Sequence, residues 1–248
     1  VDFGARMYNP DWGRWFTQDP LAEKYYSWAP YCYCINNPIK YVDPNGLDLQ
    51  LAGTKEEQEM LLAMLQRLTN YKLILHQNGT VTHSIVKTEN KNSDYQAGNT
   101  LLEQLCDQSS DTKTTTISIT DQKSITHPAD ENAYNGVGSN AEIRFNPNEN
   151  PSLITQNETS KQVQQERRPA YIGLAHELIH GMHINAGVAK RKSVTVTPTI
   201  QGNGQKYTYI KPIPLEDAIT VGLHGFLTNG PTENSIRKEH NLNLRLLY

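Results

Sequence analysis

The chain has 248 residues, of which 37% are hydrophobic and 20% are charged, and its formal net charge is −3. This composition is typical of a globular protein with a packed core, and the slightly acidic balance gives no basis for nucleic-acid binding. No apolar stretch approaches the ~18–20 residues that a membrane-spanning helix needs, so we expect no membrane span. The three cysteines, Cys32, Cys34 and Cys106, form an odd set and imply no disulfide framework.

Residues 1–47 differ in character from the rest of the chain. They are rich in tyrosine, tryptophan, proline, asparagine and glycine, and turn signals recur every few residues. The short aromatic runs between these turns predict brief strands and no helix. Because Val1 is neither an initiator methionine nor the start of a signal peptide, we expect the chain to be part of a longer polypeptide.

The pattern of residues 48–248 predicts one α+β domain. Thr54 can cap a helix whose apolar residues follow helical spacing, and Asn78-Gly79 is a hairpin signal between two strands. Predicted helices cover 54–70, 100–108, 169–185, 215–227 and 232–241. Predicted strands cover 71–76, 80–87, 114–120, 141–145, 192–199 and 206–211, with the last two forming a second hairpin.

The sequence His-Glu-Leu-Ile-His at 176–180 places two imidazoles four residues apart, with a carboxylate directly after the first. On a helix these imidazoles share one face, so neutral nitrogens of His176 and His180 can bind one zinc ion. Glu177 lies beside that face, where it can take a proton from a water at the metal. The apolar surroundings predict a buried helix, in which unpaired polar groups are costly. Two hydrogen-bonded histidines without a metal are the alternative interpretation.

A catalytic zinc site needs a third protein ligand and one open position. His183 follows on the same helix, but three ligands from one straight helix converge poorly on a tetrahedral ion. We therefore expect the third ligand from a later helix, where Glu216 and Asp217 are adjacent and only one can face the ion. We favour Glu216 for its longer reach, keep Asp217 as the alternative, and rank His183 last. Without a metal, both acids would be ordinary helix N-terminal residues.

Two further segments bear on substrate binding. Residues 121–138 are predicted to form a long polar loop. Residues 141–145 alternate apolar Ile143 and Phe145 with charged residues, which predicts an edge strand. We expect this strand to lie beside the motif helix and to pair with the substrate backbone.

The N-terminal residues resemble the end of the Rhs (YD-repeat) core of polymorphic toxins. Pro38, followed by Asp43-Pro44-Asn45-Gly46-Leu47, matches the P-x-x-x-x-D-P-x-G-L boundary of that family. The resemblance implies a junction after Leu47, with the end of a delivery scaffold at 1–47 and a toxin domain at 48–248. Further segments that carry the resemblance are 3–10, 13–20 and 31–37.

The Rhs resemblance also has implications for partners and location. It implies an Rhs shell upstream in the same polypeptide, an immunity protein as a partner, and secretion with delivery into a target cell. Asn9 stands where the family usually has an aspartate that takes part in self-cleavage. Because a neutral amide cannot replace one carboxylate of an aspartyl pair, we expect this chain not to cleave itself.

A second resemblance covers about 170–248. The order of the 176–183 motif, the Glu216-Asp217 pair, the Thr232-Glu233-Asn234 segment and the final Arg245 and Tyr248 is similar to the NleD-type effector zinc metallopeptidases. The resemblance implies a zincin-like fold, a Zn²⁺ cofactor, hydrolysis by the histidine–glutamate motif and a target-cell protein as substrate.

Several later residues admit two interpretations. Arg245 and Tyr248 are hydrogen-bond donors suited to stabilising an oxyanion, and their alternative is a C-terminal ion pair and a packed ring. Glu233 and Arg237 lie four residues apart and are expected to form a structural ion pair. The sequence thus predicts a zinc endopeptidase toxin, with a non-catalytic metal-binding or target-binding tip module as the alternative function.

Overall fold

The computed structural model describes the chain in ten segments, whose bounds are given at the end of this paragraph. The chain folds into two compact units, 1–46 and 47–248. In the first unit, β1 (Tyr8–Asn9) pairs antiparallel with β2 (Arg14–Trp15). The predicted boundary motif and Cys32 and Cys34 lie outside the described residues, so the junction after Leu47 stays a prediction. The described segments are 8–9, 14–15, 49–87, 95–106, 113–196, 199–202, 205–208, 211–223, 225–226 and 229–247.

The second unit mixes helices and sheets, which confirms the predicted α+β class. Its helices are α1 (Lys55–Gln66), α2 (Gln96–Cys106), α3 (Ala170–Asn185), α4 (Leu215–Val221) and α5 (Glu233–Glu239), with a 3-10 helix at Glu131–Tyr134. Its strands are β3 (Leu49–Leu51), β4 (Tyr71–Leu75), β5 (Thr80–Lys87), β6 (Thr115–Ile119), β7 (Ile125–Pro128), β8 (Ala141–Phe145), β9 (Ser152–Gln156), β10 (Val163–Arg167), β11 (Ser193–Val196), β12 (Thr199–Gly202), β13 (Gln205–Thr208), β14 (Lys211–Pro214) and β15 (Leu244–Arg245).

A six-stranded mixed sheet in the order β4-β5-β3-β6-β8-β7 forms the framework of this unit. The pairs β3–β6 and β6–β8 are parallel, and the other pairs are antiparallel. The main apolar core joins this sheet to α1, α2 and α3, and α3 runs through it with nearly every residue buried. Thr115 Oγ1 donates to Asn185 Oδ1 at 2.7 Å, which ties the end of α3 to β6.

The predictions of a long loop at 121–138 and of an edge strand at 141–145 are wrong. The 121–138 region contains β7 and the 3-10 helix, and β8 at 141–145 is an interior strand. The edge strand on this side of the sheet is β7, which pairs antiparallel with β8. This strand has four residues, none of them buried, and no apolar alternation, which explains why the sequence pattern does not reveal it.

Most other predicted elements are present, with shifted ends. Helix α1 is capped as predicted, because Thr54 and Glu57 form a reciprocal capping box. Helix α4 ends at Val221 rather than 227, since Gly222 adopts φ 73° and closes it. The hairpin after α3 consists of two consecutive pairs, β11–β14 and β12–β13. Strands β9, β10 and β15 form a separate antiparallel sheet that the sequence pattern does not predict.

No helix within the described segments combines the length and the apolar character needed to cross a bilayer.

The close approach of α2 to the end of α1 gives a test of the fold. A β-carbon at Gly98 would lie 1.7 Å from the carbonyl oxygen of Leu68, so only glycine fits there without moving backbone. We expect Gly98→Ala to lower the free energy of unfolding by about 1–3 kcal/mol, as overpacking does. Chemical denaturation measures this change. The control is Gln96→Ala at an exposed position of α2, which should stay within about 0.5 kcal/mol of the parent.

Candidate metal centre and active site

Helix α3 carries the predicted zinc motif through the core. It begins at Ala170 after Pro169, and His176 and Glu177 are buried, with 2% and 7% of their surface exposed. His176 and His180 are one turn apart, and their rings meet edge to face with centroids 4.8 Å apart. The helix thus presents both imidazoles on one side, as the i and i+4 spacing predicts.

Three side chains bring potential ligand atoms together. His176, His180 and Asp217 each offer one nitrogen or oxygen, and these atoms lie within 4.8 Å of one another. The Nε2 atoms of His176 and His180 are 3.2 Å apart, and His180 Nε2 is 3.2 Å from Asp217 Oδ1. Tetrahedral zinc with ligands at 2.0–2.1 Å holds its ligand atoms about 3.3 Å apart, so these two distances of 3.2 Å fit the ion.

Glu216, favoured on sequence grounds as the third ligand, has other contacts. Its Oε1 lies 2.6 Å from His183 Nδ1, and its Oε2 accepts the Lys190 backbone N–H at 2.7 Å. Burial raises the pKa of Glu216, but hydrogen bonds to His180 and His183 outweigh this and lower the pKa to about 2. The geometry therefore favours the alternative, Asp217, and it places His183 beside Glu216 rather than among the three converging ligand atoms.

Each histidine of the motif is held through its second ring nitrogen. His176 Nδ1 lies 3.0 Å from Glu233 Oε2. His180 Nδ1 lies 3.3 Å from Thr220 Oγ1 and 3.4 Å from Glu216 Oε1. Such contacts fix the tautomer and orientation of a metal-binding imidazole and leave Nε2 to the ion.

Glu233 is the centre of a buried charge network. It is fully buried and accepts from Arg237 Nε at 2.8 Å and from Arg245 Nη1 at 2.8 Å, besides its contact with His176. Burial raises the pKa of Glu233, but the charge of Arg245 and the hydrogen bond to His176 outweigh it and hold the pKa well below its usual range. The expected Glu233–Arg237 ion pair is therefore present, and Glu233 also contacts His176.

The two imidazoles differ in their protonation tendency. Burial lowers the pKa of His176. Burial also acts to lower the pKa of His180, but hydrogen bonds to Asp217 and Glu216 outweigh it and raise the pKa to about 9. Because a ligand imidazole must be neutral, a metal bound at this position would have to displace a proton from His180.

Glu177 projects to the side of the ligand cluster and meets the edge strand. Thr126 Oγ1 on β7 donates to Glu177 Oε2 at 2.7 Å and lies 3.2 Å from the carbonyl oxygen of Glu177. The carboxylate is thus held between α3 and β7. A fixed carboxylate beside a metal position is what a general base requires.

A cavity of about 470 Å³ opens at this cluster. Its wall includes His176, Glu177, His180 and Asp217, so a ligand in the cavity reaches both the potential metal position and the carboxylate. This volume lies within the usual range for small-molecule and peptide side-chain pockets. The cavity is also lined by Ser124, Thr126, Glu149, Arg168 and Arg245.

The two predicted oxyanion donors have different standing. Arg245 lines the cavity, and its guanidinium donates to Glu233 through Nη1 and to the Leu247 carbonyl through Nε at 2.7 Å. Its ion pair with Glu233 is the structural alternative expected from sequence. Tyr248 lies outside the described residues, so its role stays a prediction.

Sequence reasoning missed three contacts at this site. Thr126 falls in a segment predicted as loop, and the contact of Thr220 on α4 with His180 is not predicted either. Glu233 has the appearance of an ordinary first-turn acid after the cap Thr232. Only the folded arrangement brings Glu233 to His176, 57 positions earlier in the chain.

Two histidines and an aspartate around one position, with a carboxylate at the wall of a cavity, form an arrangement typical of metal-dependent peptidases. A model of the M91 peptidase family, described as effector proteins, matches residues 82–248. The chain belongs to this M91 peptidase family.

Comparisons with individual proteins cover less of the chain or are more distant. The salivary gland surface protein 1 of Aedes aegypti is 47% identical over 45 residues, which are 18% of this chain and 1% of that protein. The light chain of Clostridium botulinum neurotoxin serotype F is 15% identical, with a TM-score of 0.38 over 98% of this chain and 68% of that chain. The apo form, with zinc removed, of the botulinum neurotoxin type C light chain is 18% identical, with a TM-score of 0.30 over 51% of this chain and 30% of that chain.

Proposed function

We propose that this chain is a zinc-dependent endopeptidase effector that hydrolyses a protein of the cell into which it is delivered. The observation that carries the proposal is the convergence of His176, His180 and Asp217 beside Glu177 in one cavity. Membership of the M91 peptidase family of effector proteins supports a protein substrate and delivery into a target cell.

The residues of this chain have distinct tasks in the proposed reaction. His176, His180 and Asp217 would hold Zn²⁺, which when bound would supply Lewis acidity to water and to the scissile carbonyl. Glu177 accepts a proton from the attacking water and passes it to the leaving amine nitrogen. Glu233 keeps the His176 ring oriented through Nδ1.

Charge that develops on the carbonyl oxygen needs donors in the same cavity. Arg245 lines the cavity and carries a fixed positive charge, and Tyr248 follows three residues later. We assign both to stabilising the oxyanion, because donors placed where charge develops contribute strongly to acyl-transfer catalysis. Glu233 holds the Arg245 guanidinium in place at 2.8 Å.

The substrate backbone has a strand to pair with in this arrangement. Strand β7 is the end strand of the six-stranded sheet, and its Thr126 contacts the proposed general base. An extended peptide that adds to this edge would lie across the cavity, and main-chain hydrogen bonds would position its scissile bond. This assignment replaces the one made for 141–145, which is an interior strand.

The alternative, a non-catalytic metal-binding or target-binding tip, requires a closed or absent metal site. A structural zinc site is closed by a fourth protein ligand. His183, the nearest further histidine, is already paired with Glu216 at 2.6 Å. Within the described segments, the group that can hold a metal has three members, which leaves a position for water and substrate.

We also propose that the domain is delivered into its target cell by an Rhs shell to which residues 1–47 belong. The resemblance of residues 1–47 to the end of an Rhs core supports an upstream Rhs shell in the same polypeptide, with the toxin domain starting at Asp48. An immunity protein that covers the cavity is the corresponding partner in the producing cell. Secretion and transfer into a target cell complete this proposal.

The experiment that tests the proposed function is detection of new protein N-termini in cells that express the chain. We expect a small set of cleavage sites that is absent when the Glu177→Gln variant is expressed at the same level. Lysate cleavage by purified protein should stop on adding a chelator and return with zinc. An identical set of new N-termini from both proteins would refute the peptidase assignment.

The contact between Thr126 and Glu177 gives a separate prediction. We expect Thr126→Val to lower kcat on the order of tenfold, because it removes a hydrogen bond to a charged group while keeping the side-chain shape. KM and zinc content should change little. Steady-state kinetics on a reporter peptide measure the split between kcat and KM.

The control for this prediction is Thr126→Ser, which keeps the hydroxyl and should retain most of kcat. Equal losses in the valine and serine variants would show that the hydroxyl does not position Glu177.

A further inference from the structure

Arg168 is a buried charge with no role in the chemistry described above. Only 6% of its surface is exposed, and it lines the cavity that holds the catalytic groups. Its Nε is buried and has no hydrogen-bond partner in the described part of the chain. A buried donor without a partner is costly, so the unpaired Nε in a cavity wall points to an acceptor that arrives from outside the chain.

Glu149 lines the same cavity, and its carboxylate interacts with the charge of Arg168. Glu149 Oε2 accepts the Ser124 backbone N–H at 2.6 Å. Burial raises the pKa of Glu149, but the hydrogen bonds from Ser124 and the charge of Arg168 together lower it. Glu149 thus interacts with Arg168 through its charge, while Arg168 Nε has no hydrogen-bond partner in the described part of the chain. The guanidinium therefore keeps a donor and a charge that suit an anion from outside the chain.

Gly173 lets the Arg168 side chain pack closely against helix α3. A β-carbon at Gly173 would lie 3.2 Å from both Nε and Nη2 of Arg168, so the guanidinium packs directly on α3 there. Gly173 is three residues before His176 and four before Glu177, which is about one turn of 5.4 Å. An extended peptide advances about 3.3 Å per residue, so a substrate that runs along α3 would span this rise with one or two residues.

We propose that Arg168 determines specificity by binding an anionic group of the substrate one or two residues from the scissile bond. A guanidinium forms paired hydrogen bonds with a carboxylate or a phosphate, and it stays charged when buried. The inference rests on the proposed peptidase function and names the substrate chemistry of the same site. The anion can be an aspartate, a glutamate, a phosphorylated side chain or a C-terminal carboxylate.

The test is cleavage profiling of the full chain, loaded with zinc, on a library of proteome-derived peptides. We expect the parent protein to favour an anionic group at one fixed position near the cleaved bond and Arg168→Gln to lose that preference. On matched reporters with an acid or its amide at that position, the ratio of kcat/KM values should fall on the order of 100-fold in Arg168→Gln. Reporters with Asp, Glu, phosphoserine, or a free against an amidated C-terminus identify the source of the anion.

Control variants separate recognition from a structural role. Arg168→Lys keeps the charge but loses the paired hydrogen bonds of the guanidinium, and it should retain part of the preference. Glu149→Gln should strengthen the preference, because it removes a competing carboxylate. A fall in Tm with an unchanged ratio of acidic to neutral reporters in Arg168→Gln would mean that Arg168 only stabilises the fold, and it would overturn the proposal.

Binding separates failure of this inference from failure of the proposed function. The Glu177→Gln variant is used to select peptides by affinity from the same library, and fluorescence anisotropy measures the selected peptides. Acidic peptides should be enriched, and the enrichment should be lost when Arg168→Gln is added. If the parent protein cleaves nothing, the peptidase assignment fails, while the selection still decides whether Arg168 recognises anions.

Discussion

Glu177→Gln should abolish proteolysis while leaving the fold and the metal content unchanged. The amide keeps the shape of the carboxylate and can still contact Thr126, whose hydroxyl lies 2.7 Å from Glu177 Oε2. It cannot accept a proton from water, and loss of a general base costs on the order of 10²–10⁴-fold in rate. We therefore expect kcat to fall by that factor, and the toxicity of the expressed chain to disappear with it.

The measurement compares parent and variant by steady-state kinetics, zinc content by elemental analysis and thermal unfolding. Thr126→Ser is the matched control, since it changes a neighbour of Glu177 while keeping both the hydroxyl contact and the carboxylate. Undiminished killing by Glu177→Gln at equal expression would contradict the enzyme hypothesis and would favour a binding tip.

Local spacing explains why part of the site could be predicted from sequence. His176, Glu177 and His180 belong to one helix, and the geometry of a helix alone places their side chains. The apolar residues around them predict the burial that α3 shows. The capping box of α1 and the β4–β5 hairpin are equally local, and both are present.

Contacts between distant segments explain what could not be predicted. Glu216 and Asp217 differ by about 100° around α4, and the choice between them depends on packing. In the folded chain the Glu216 carboxylate contacts His183 Nδ1 and accepts the Lys190 backbone N–H. Asp217 is then the acid that lies 3.2 Å from His180 Nε2. No periodicity in the sequence contains that information.

Strand β7 could not be predicted either, because its formation depends on pairing with a distant segment. Strand β7 has neither an apolar alternation nor a buried face, so its pairing with β8 is evident only in the sheet. The consequence is functional, because β7 supplies Thr126 to the proposed base and an edge to the proposed substrate. Arg168 likewise precedes Pro169 at a helix start, and nothing in its sequence neighbourhood indicates a cavity.

The metal ligands can be identified by comparing the adjacent acids Asp217 and Glu216. We expect Asp217→Ala to lose zinc affinity by more than the about 10–100-fold that removal of an outer partner costs. Glu216→Ala should stay within that range, because Glu216 acts through His180 and His183 rather than on the ion. His176→Ala removes one of the converging nitrogens and should purify without stoichiometric zinc.

Competition with a chromophoric chelator measures these affinities, and elemental analysis measures the bound metal. The comparison is sharp because the two acids are neighbours on one helix, so a general effect on α4 would change both variants alike. A larger loss in Glu216→Ala than in Asp217→Ala would restore Glu216 as the third ligand. Full zinc occupancy in His176→Ala would refute the ligand set, since the 3.2 Å approach of the two Nε2 atoms would then serve no metal.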